Sequence, residues 1–497
     1  MLPHLHSSPR ATLPTELDVR KDKLLYTGSN EVCNLKKKEM GMELKDACVD
    51  QRLKRNTAVL FSRMVERKVV SLRKLANNRA ETVKFERLLG NKAVSPGRLI
   101  NAEQARIRDI VAGRHILAVQ DTTEINYQKH AGRVKQGLGR VGNGIDLGFF
   151  LHPMLVLDAK TGSCLGSSEI HIENRLEGGS KNYQQLPIEE KESYRWITTA
   201  AKSKEVLSKA SCITFIGDRE NDIYEFFDRI PDERTHSITR VRGDRCLVEN
   251  KKLYTHLESQ PEAGRMRINI PSEKRKGRQE REALLAIRYS KVTIQRPLKC
   301  TDKKAKQAIC LNVVEVKELD CPTGQEPIEW RLLTTHEVNE LDEAKHIILW
   351  YRQRWNVEQI FRTMKKQGFD IESSQLESPE GLMKLAVMAL CAATRVLALV
   401  LAREGKTEQR THDVFTQEEQ VILAALLVTL EGKTVRQKNP YAKENLAWAS
   451  WIIARLGGWK GAQRSEGLPG PITMSRGLRR FSEMVDGWNL CKNLWVE

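Results

Sequence analysis

Near residue 350 of this 497-residue chain, four polar side chains recur at helical spacing: Tyr351, Arg354, Glu358 and Lys365. At 100° per residue they fall within a sector of about 60°. Trp350, Val357, Phe361 and Met364 cluster beside that sector, so the polar stripe runs along the rim of a buried face. Taken alone, Arg354 and Glu358 are an i, i+4 ion pair worth about 0.3 kcal/mol. Two further carboxylates add to the stripe. Asp121 closes the apolar run "HILAVQ", and Asp218 closes "CITFIG". A single Asp after a strand is ordinarily a turn former or a helix cap. Two of them at the carboxyl edge of a sheet, where α/β ligand sites gather, form a trio with a helical Glu. Three carboxylates cannot all stay ionised in one cleft without a cation. Hard oxygen ligands with no His or Cys suit Mg²⁺ or Mn²⁺. Two such ions clamp the attacking and leaving oxygens of a phosphodiester.

The charge balance points the same way. The net charge is +18 and the pI about 9.4, which favours a polyanionic partner, nucleic acid before an acidic membrane. Residues 51–100 carry thirteen Lys and Arg against three Glu, a net +10. A solvated helix face normally mixes signs, whereas one-signed charge fits phosphate contact and hence DNA binding. A basic chain with a carboxylate trio reads as a DNA-strand transferase or nuclease. A glycosidase with paired carboxylates acts on a neutral sugar and has no use for this charge. Ten cysteines are scattered without a CxxC pair, which speaks against zinc and for reduced thiols in a cytosolic protein. No secretion signal opens the sequence. Residues 385–402 are apolar at membrane-span length, but Arg395 lies inside them and "REGKTEQR" follows. They are expected to form a buried helix of a domain or dimer core, not a membrane span.

The elements that must position these groups follow from pattern. Residues 1–40 lack periodicity and read as a disordered tail, with Met40 or Met42 as alternative starts. Helices are expected in "QRLKRNTAVLFSRMVERKVVSLRKLA" and "RAETVKFERLLG". From about residue 115 the pattern turns to strands: "HILAVQDTTEINY", "FFLHPMLVLDA" and "CLGSSEIHI". A helix at 187–210, the strand ending at Asp218 and the strand "THSITRVRG" follow, giving a mixed sheet in an α/β layer. Residues 243–329 read as a β-rich insertion with a basic hairpin tip at "PSEKRKGRQER". "EWRLLTT" resumes a buried strand, "DEAKHIILWYRQRWNVEQIFRTMKKQG" reads as one long helix, and the chain is mostly helical beyond 373. The glycines Gly137, Gly139 and Gly142 match GxGxxG without a strand before or a helix after, and so read as a loop.

At these residues the sequence resembles the cut-and-paste bacterial DDE transposases of the Tn-five type. The pieces that carry the resemblance are "ILAVQDTTEINY", "GDRENDIYEF", "WRLLTT" and Y-x2-R-x3-E-x6-K at Tyr351, Arg354, Glu358 and Lys365, with "RLGGWKG" and "GLRRFSEMVDGW" near the C-terminus. It spans roughly residues 45–497. It implies an RNase H-like catalytic core with a β-rich insertion at 113–372, flanked by an N-terminal helical DNA-binding domain at 41–112 and a C-terminal helical dimerisation domain at 373–497. Asp121, Asp218 and Glu358 match the family's catalytic and metal-binding triad, with two Mg²⁺ ions per site and Mn²⁺ as a substitute. The implied chemistry binds transposon terminal inverted repeats and nicks one strand. The freed 3′-hydroxyl then forms a hairpin, the hairpin is reopened, and the end is joined to target DNA. Arg354 and Lys365 are implied to hold phosphates, and Tyr351 to bond a phosphate oxygen. Trp330 either stacks on an extruded base or is a sheet-core tryptophan. Arg240 and Arg242 resemble a DNA-contacting arginine. A homodimer in a synaptic complex is implied, in a bacterial cytoplasm and on the nucleoid when DNA is bound. Two other readings stay open: a non-catalytic regulator of transposition, and a nuclease without strand transfer.

Overall fold

The strand that ends at Asp121 divides its side chains between two cores. β1 (His115–Gln120) sends Leu117 and Val119 into one apolar cluster and Ile116 and Ala118 into another. Both faces of the sheet are therefore covered, and for that reason the strand is a continuous apolar run and does not alternate. The structure, a computed structural model, describes residues 50–494 except 135, 177–184, 271–279, 366–367 and 462–466. The expected tail 1–40, both alternative starts and most of the basic tip after residue 270 lie outside the described residues. All described residues belong to the compact unit Glu39–Glu497.

Among the described residues four helices precede the sheet: α1 (Gln51–Arg67), α2 (Leu72–Leu75), α3 (Arg79–Gly90) and α4 (Pro96–Ile110). Asp50, Asn78 and Ser95 cap α1, α3 and α4 by accepting backbone N–H bonds. A ten-stranded mixed sheet follows. β3 (Gly148–Asp158) pairs antiparallel with β1, with the short β2 (Thr123–Asn126) and with β4 (Cys164–Glu173). After α5 (Tyr194–Val206), β5 (Cys212–Gly217) lies parallel to β1. After α6 (Tyr224–Arg229), β6 (Thr235–Arg240) lies parallel to β5. The expected insertion contains α7 (Leu253–Glu258), β7 (Gly264–Ile270), β8 (Arg281–Gln295) and β9 (Ala308–Glu318). Its strands extend the same sheet, because β10 (Glu329–Thr334) pairs with β6 on one side and β9 on the other.

The single long helix expected from the sequence is broken. The run from Asp342 is two helices, α8 (Leu341–Arg352) and α9 (Trp355–Met364). At the junction the Arg354 N–H bonds Tyr351 O and the Val357 N–H bonds Arg354 O, each three residues back. Such i→i+3 bonds tighten the coil, so one 100° wheel does not run through residues 351–365.

The remaining helices are α10 (Pro379–Ala402), α11 (Gln417–Leu430), α12 (Leu446–Leu456) and α13 (Pro471–Leu494). α10 is long and apolar enough to cross a membrane, yet 89% of its most apolar window is buried inside this chain. It packs on α1, α3, α4, α9, α12, α13 and β4. Burial within one protomer thus accounts for its composition. Lys384, at 0% exposure in that helix, donates to Leu89 O at 2.9 Å and Asn91 O at 3.0 Å, which caps the carboxyl end of α3. Glu380 pairs with the same ammonium at 2.9 Å.

Candidate active site

Asp121 and Asp218 stand at equivalent points of neighbouring strands. β1 and β5 pair in parallel with Val119 opposite Ile216, and Asp121 and Asp218 each follow that pair by two residues, just past the ends of their strands. Asp121 occupies the step where the chain leaves β1 before β2 begins. Its Oδ1 accepts the Thr122 N–H at 2.8 Å. Asp218 caps the 3₁₀ turn Arg219–Asn221, its Oδ1 accepting the Glu220 N–H at 2.8 Å. Both aspartates are thus the turn and cap formers that their position suggests. That local role also fixes where their free oxygens point.

Glu358, in the first turn of α9, is joined to Asp121 through Arg354. One arm of the Arg354 guanidinium donates to Asp121 Oδ2 at 3.1 Å and the other to Glu358 Oε1 at 2.8 Å. Burial pushes the Asp121 carboxyl up to about 7, and Asp218 adds to the rise while Arg354 opposes it. A carboxyl held so high by desolvation and a like charge is characteristic of a functional cleft.

The other residues expected from sequence surround this centre unevenly. Tyr351 is buried at 4% exposure, with its hydroxyl between Arg240 and Arg354, and burial raises its pKa. Trp330 is half-buried on β10 and meets the Tyr351 ring edge-on, centroids 5.4 Å apart. It is therefore neither free in solvent nor sealed in the sheet core. Arg240 donates to Glu329 O at 2.9 Å, next to Trp330. Arg242 is exposed, and its backbone N–H bonds Asp222 Oδ2 at 2.8 Å. Lys365, just past the end of α9 in extended conformation, pairs with Glu372 at 3.6 Å and stands apart from the Arg354 fork. Sequence reasoning passed over Thr122, Gln120, His152 and Asn221, which lie directly behind the aspartates. A polar Gln120 and a lone His152 inside otherwise apolar strands were the available signals.

Among the described residues no three His, Cys, Asp or Glu side chains are gathered closely enough to hold a metal ion. The donor chemistry nevertheless fits a hard divalent cation, because the groups that meet are carboxylates and a guanidinium cation already rests on two of them.

Residues 204–395 match the family model of the transposase DDE domain. That match marks a transposase DDE domain and supports a DDE-type transposase enzyme. Asp218 and Glu358 fall inside the matched residues, and Asp121 precedes them. A cryo-EM structure of a piggyBac transposase synaptic complex with hairpin DNA is also similar, at 12% identity and a TM-score of 0.31. That match covers 72% of this chain and 68% of the other. Transposases of the DDE type bind DNA and generally use divalent metal ions.

Proposed function

We propose that this transposase is of the cut-and-paste Tn-five type. In this reading it binds terminal inverted repeats, cuts both strands through a hairpin and joins the 3′-hydroxyl ends to target DNA. The observation that carries the reading is the placement of Asp121 and Asp218 just past the ends of adjacent parallel strands, with Glu358 tied to Asp121 through Arg354. The order β4-β3-β1-β5-β6, antiparallel twice and then parallel twice, supports an RNase H-like core.

Asp121, Asp218 and Glu358 would hold two Mg²⁺ ions, with Mn²⁺ able to substitute. Such ions polarise a phosphoryl oxygen and lower the pKa of a bound water. Arg354 exchanges its carboxylate partners for a phosphate flanking the cut, which its planar fork fits as well as it fits a carboxylate. Tyr351 orients that fork, Lys365 leaves Glu372 for the backbone, and Arg240 and Arg242 line the approach. Trp330, half-exposed at the rim, stacks on an extruded base. The basic helices before the sheet read the transposon end. The helices beyond residue 373 bring two copies into a synaptic dimer, and the protein acts in the bacterial cytoplasm.

The test uses purified protein with duplexes carrying the inverted repeats that flank its gene, with and without Mg²⁺. Mg²⁺-dependent nicks, hairpins and joined products are expected. Binding without any cut would make the chain a regulator, and cutting without joining would make it a nuclease.

A further inference from the structure

Behind the two aspartates lies a chain of buried polar side chains drawn from separate elements. Thr122 Oγ1 meets His152 Nδ1 at 2.8 Å, and His152 Nε2 meets Gln120 Oε1 at 3.1 Å. Gln120 Nε2 donates to Asn221 Oδ1 at 3.3 Å, and Asn221 Nδ2 donates to Thr239 Oγ1 at 2.9 Å. His152, Gln120, Asn221 and Thr239 are all at 0% exposure. Because Gln120 Oε1 can only accept, His152 carries its proton on Nε2. Its Nδ1 then accepts the Thr122 hydroxyl proton. The chain runs in one direction from β2's threshold across β3, β1 and the turn after β5 to β6.

One end of this chain also fastens the Asp121 carboxylate, and its fourth member holds the backbone of Asp218. The residue whose hydroxyl opens the chain, Thr122, gives its own N–H to Asp121 Oδ1. Asn221 gives its N–H to Asp218 O at 3.1 Å. Its side chain also fills the space beside Gly217, where an added Cβ would come within 2.4 Å of Asn221 Cβ. Glycine before Asp218 is therefore what lets Asn221 fold back under the sheet edge. Buried polar groups of this kind are costly unless every one is satisfied, and a satisfied network specifies a single arrangement.

We propose that His152, Gln120 and Asn221 are positioning residues that lock Asp121 against Asp218 so that the pair can share one divalent ion. This rests on the metal-dependent reading above. Two like charges on adjacent strands repel, and nothing covalent holds the loops after β1 and β5 together. The amide link from Gln120 to Asn221 supplies that connection.

The experiment measures Mn²⁺ binding to the full-length, DNA-free protein by the loss of the free-ion paramagnetic resonance signal. The proteins compared are wild type, Asp218→Asn, Asn221→Ala and His152→Gln. Wild type should bind Mn²⁺ in an Asp218-dependent way. Asn221→Ala should bind at least about tenfold more weakly, as loss of a group that orients a metal ligand typically does. His152→Gln keeps one donor and one acceptor and should stay within about threefold of wild type. Asn221→Ser, which keeps a small polar side chain over Gly217, must show the same loss if Asn221→Ala does not fold. Wild-type affinity in both Asn221 variants overturns the positioning role while leaving the metal reading intact. Absence of Asp218-dependent binding in wild type overturns the metal reading, and the positioning role falls with it.

Discussion

The two ends of the same parallel strands treat ionisable groups in opposite ways. At the carboxyl end, Asp121 and Asp218 are crowded together, and the Asp121 carboxyl is held at about 7. At the amino end, His115 begins β1, His236 lies on β6, and His336 follows β10. Thr214 on β5 bonds His115 at 2.8 Å and His336 at 2.7 Å. The His236 and His336 rings stack at 4.0 Å, and Trp350 packs on His115 and His336. Burial lowers all three pKa values, and neighbouring histidines add to the fall at His115 and at His336, the latter reaching about 3. Histidine escapes a buried charge near neutral pH simply by losing a proton. A carboxylate there can only bind one or find a cation. The three histidines at the amino end are thus neutral at pH 7, while Asp121 at the carboxyl end sits at its tipping point.

The sharpest way to break this contrast is Asp218→Asn. Strand cleavage should fall by on the order of 10³-fold or more, with end binding unchanged in a gel-shift assay. Retained cutting would remove Asp218 from the chemistry.

Thermal unfolding across pH separates the two ends next. The folded pKa of Asp121 lies above its unfolded value near 4, so its burial costs stability increasingly as pH rises from about 4 to 7. Asp121→Asn should be more stable than wild type by about 1–3 kcal/mol at pH 8 and indistinguishable near pH 4. His336 has the opposite sign. Its folded pKa is depressed, so stability is lost as pH falls from about 6.5 toward 3, and His336→Gln should blunt that acid sensitivity. Parallel pH curves for all three proteins would erase the distinction drawn here.

A smaller effect is expected at the rim. Trp330→Ala should slow hairpin formation more than first-strand nicking, by about the 1–3 kcal/mol of a base–aromatic stack. Equal slowing of both steps would make the tryptophan a packing residue. Least of all, Lys365→Ala should weaken end binding and lower its salt slope by about one, because the lysine already spends part of its charge on Glu372. An unchanged slope would leave Lys365 as a structural ion pair.

Much of the centre could be read from sequence because strand ends announce themselves. "HILAVQD" and "CITFIGD" each stop at the aspartate, and parallel pairing then puts both at one edge. The turn between α8 and α9 could not be read, since Gln353 and Arg354 are ordinary helix formers and carry no breaker signal. α4 had a Ser95-Pro96 start signal, but the burial of Glu103 and Gln104 on its inner face blurred the apolar period. The polar chain behind the site could not be assembled from its isolated signals, because Gln120 and Asn221 are 101 residues apart and meet only once β5 lies beside β1.

The ammonium of Lys384 sets a limit on how this enzyme can be taken apart. Severing the chain after Gly90 and replacing what precedes it would strip that buried cation of the Leu89 carbonyl, leaving the Asn91 carbonyl and a half-exposed Glu380. A buried cation that loses one of its partners is costly to keep in the interior. The helices before the sheet and the α10 lysine are thus packed as one unit, and a segment put in their place has to restore a carbonyl where Leu89 stands.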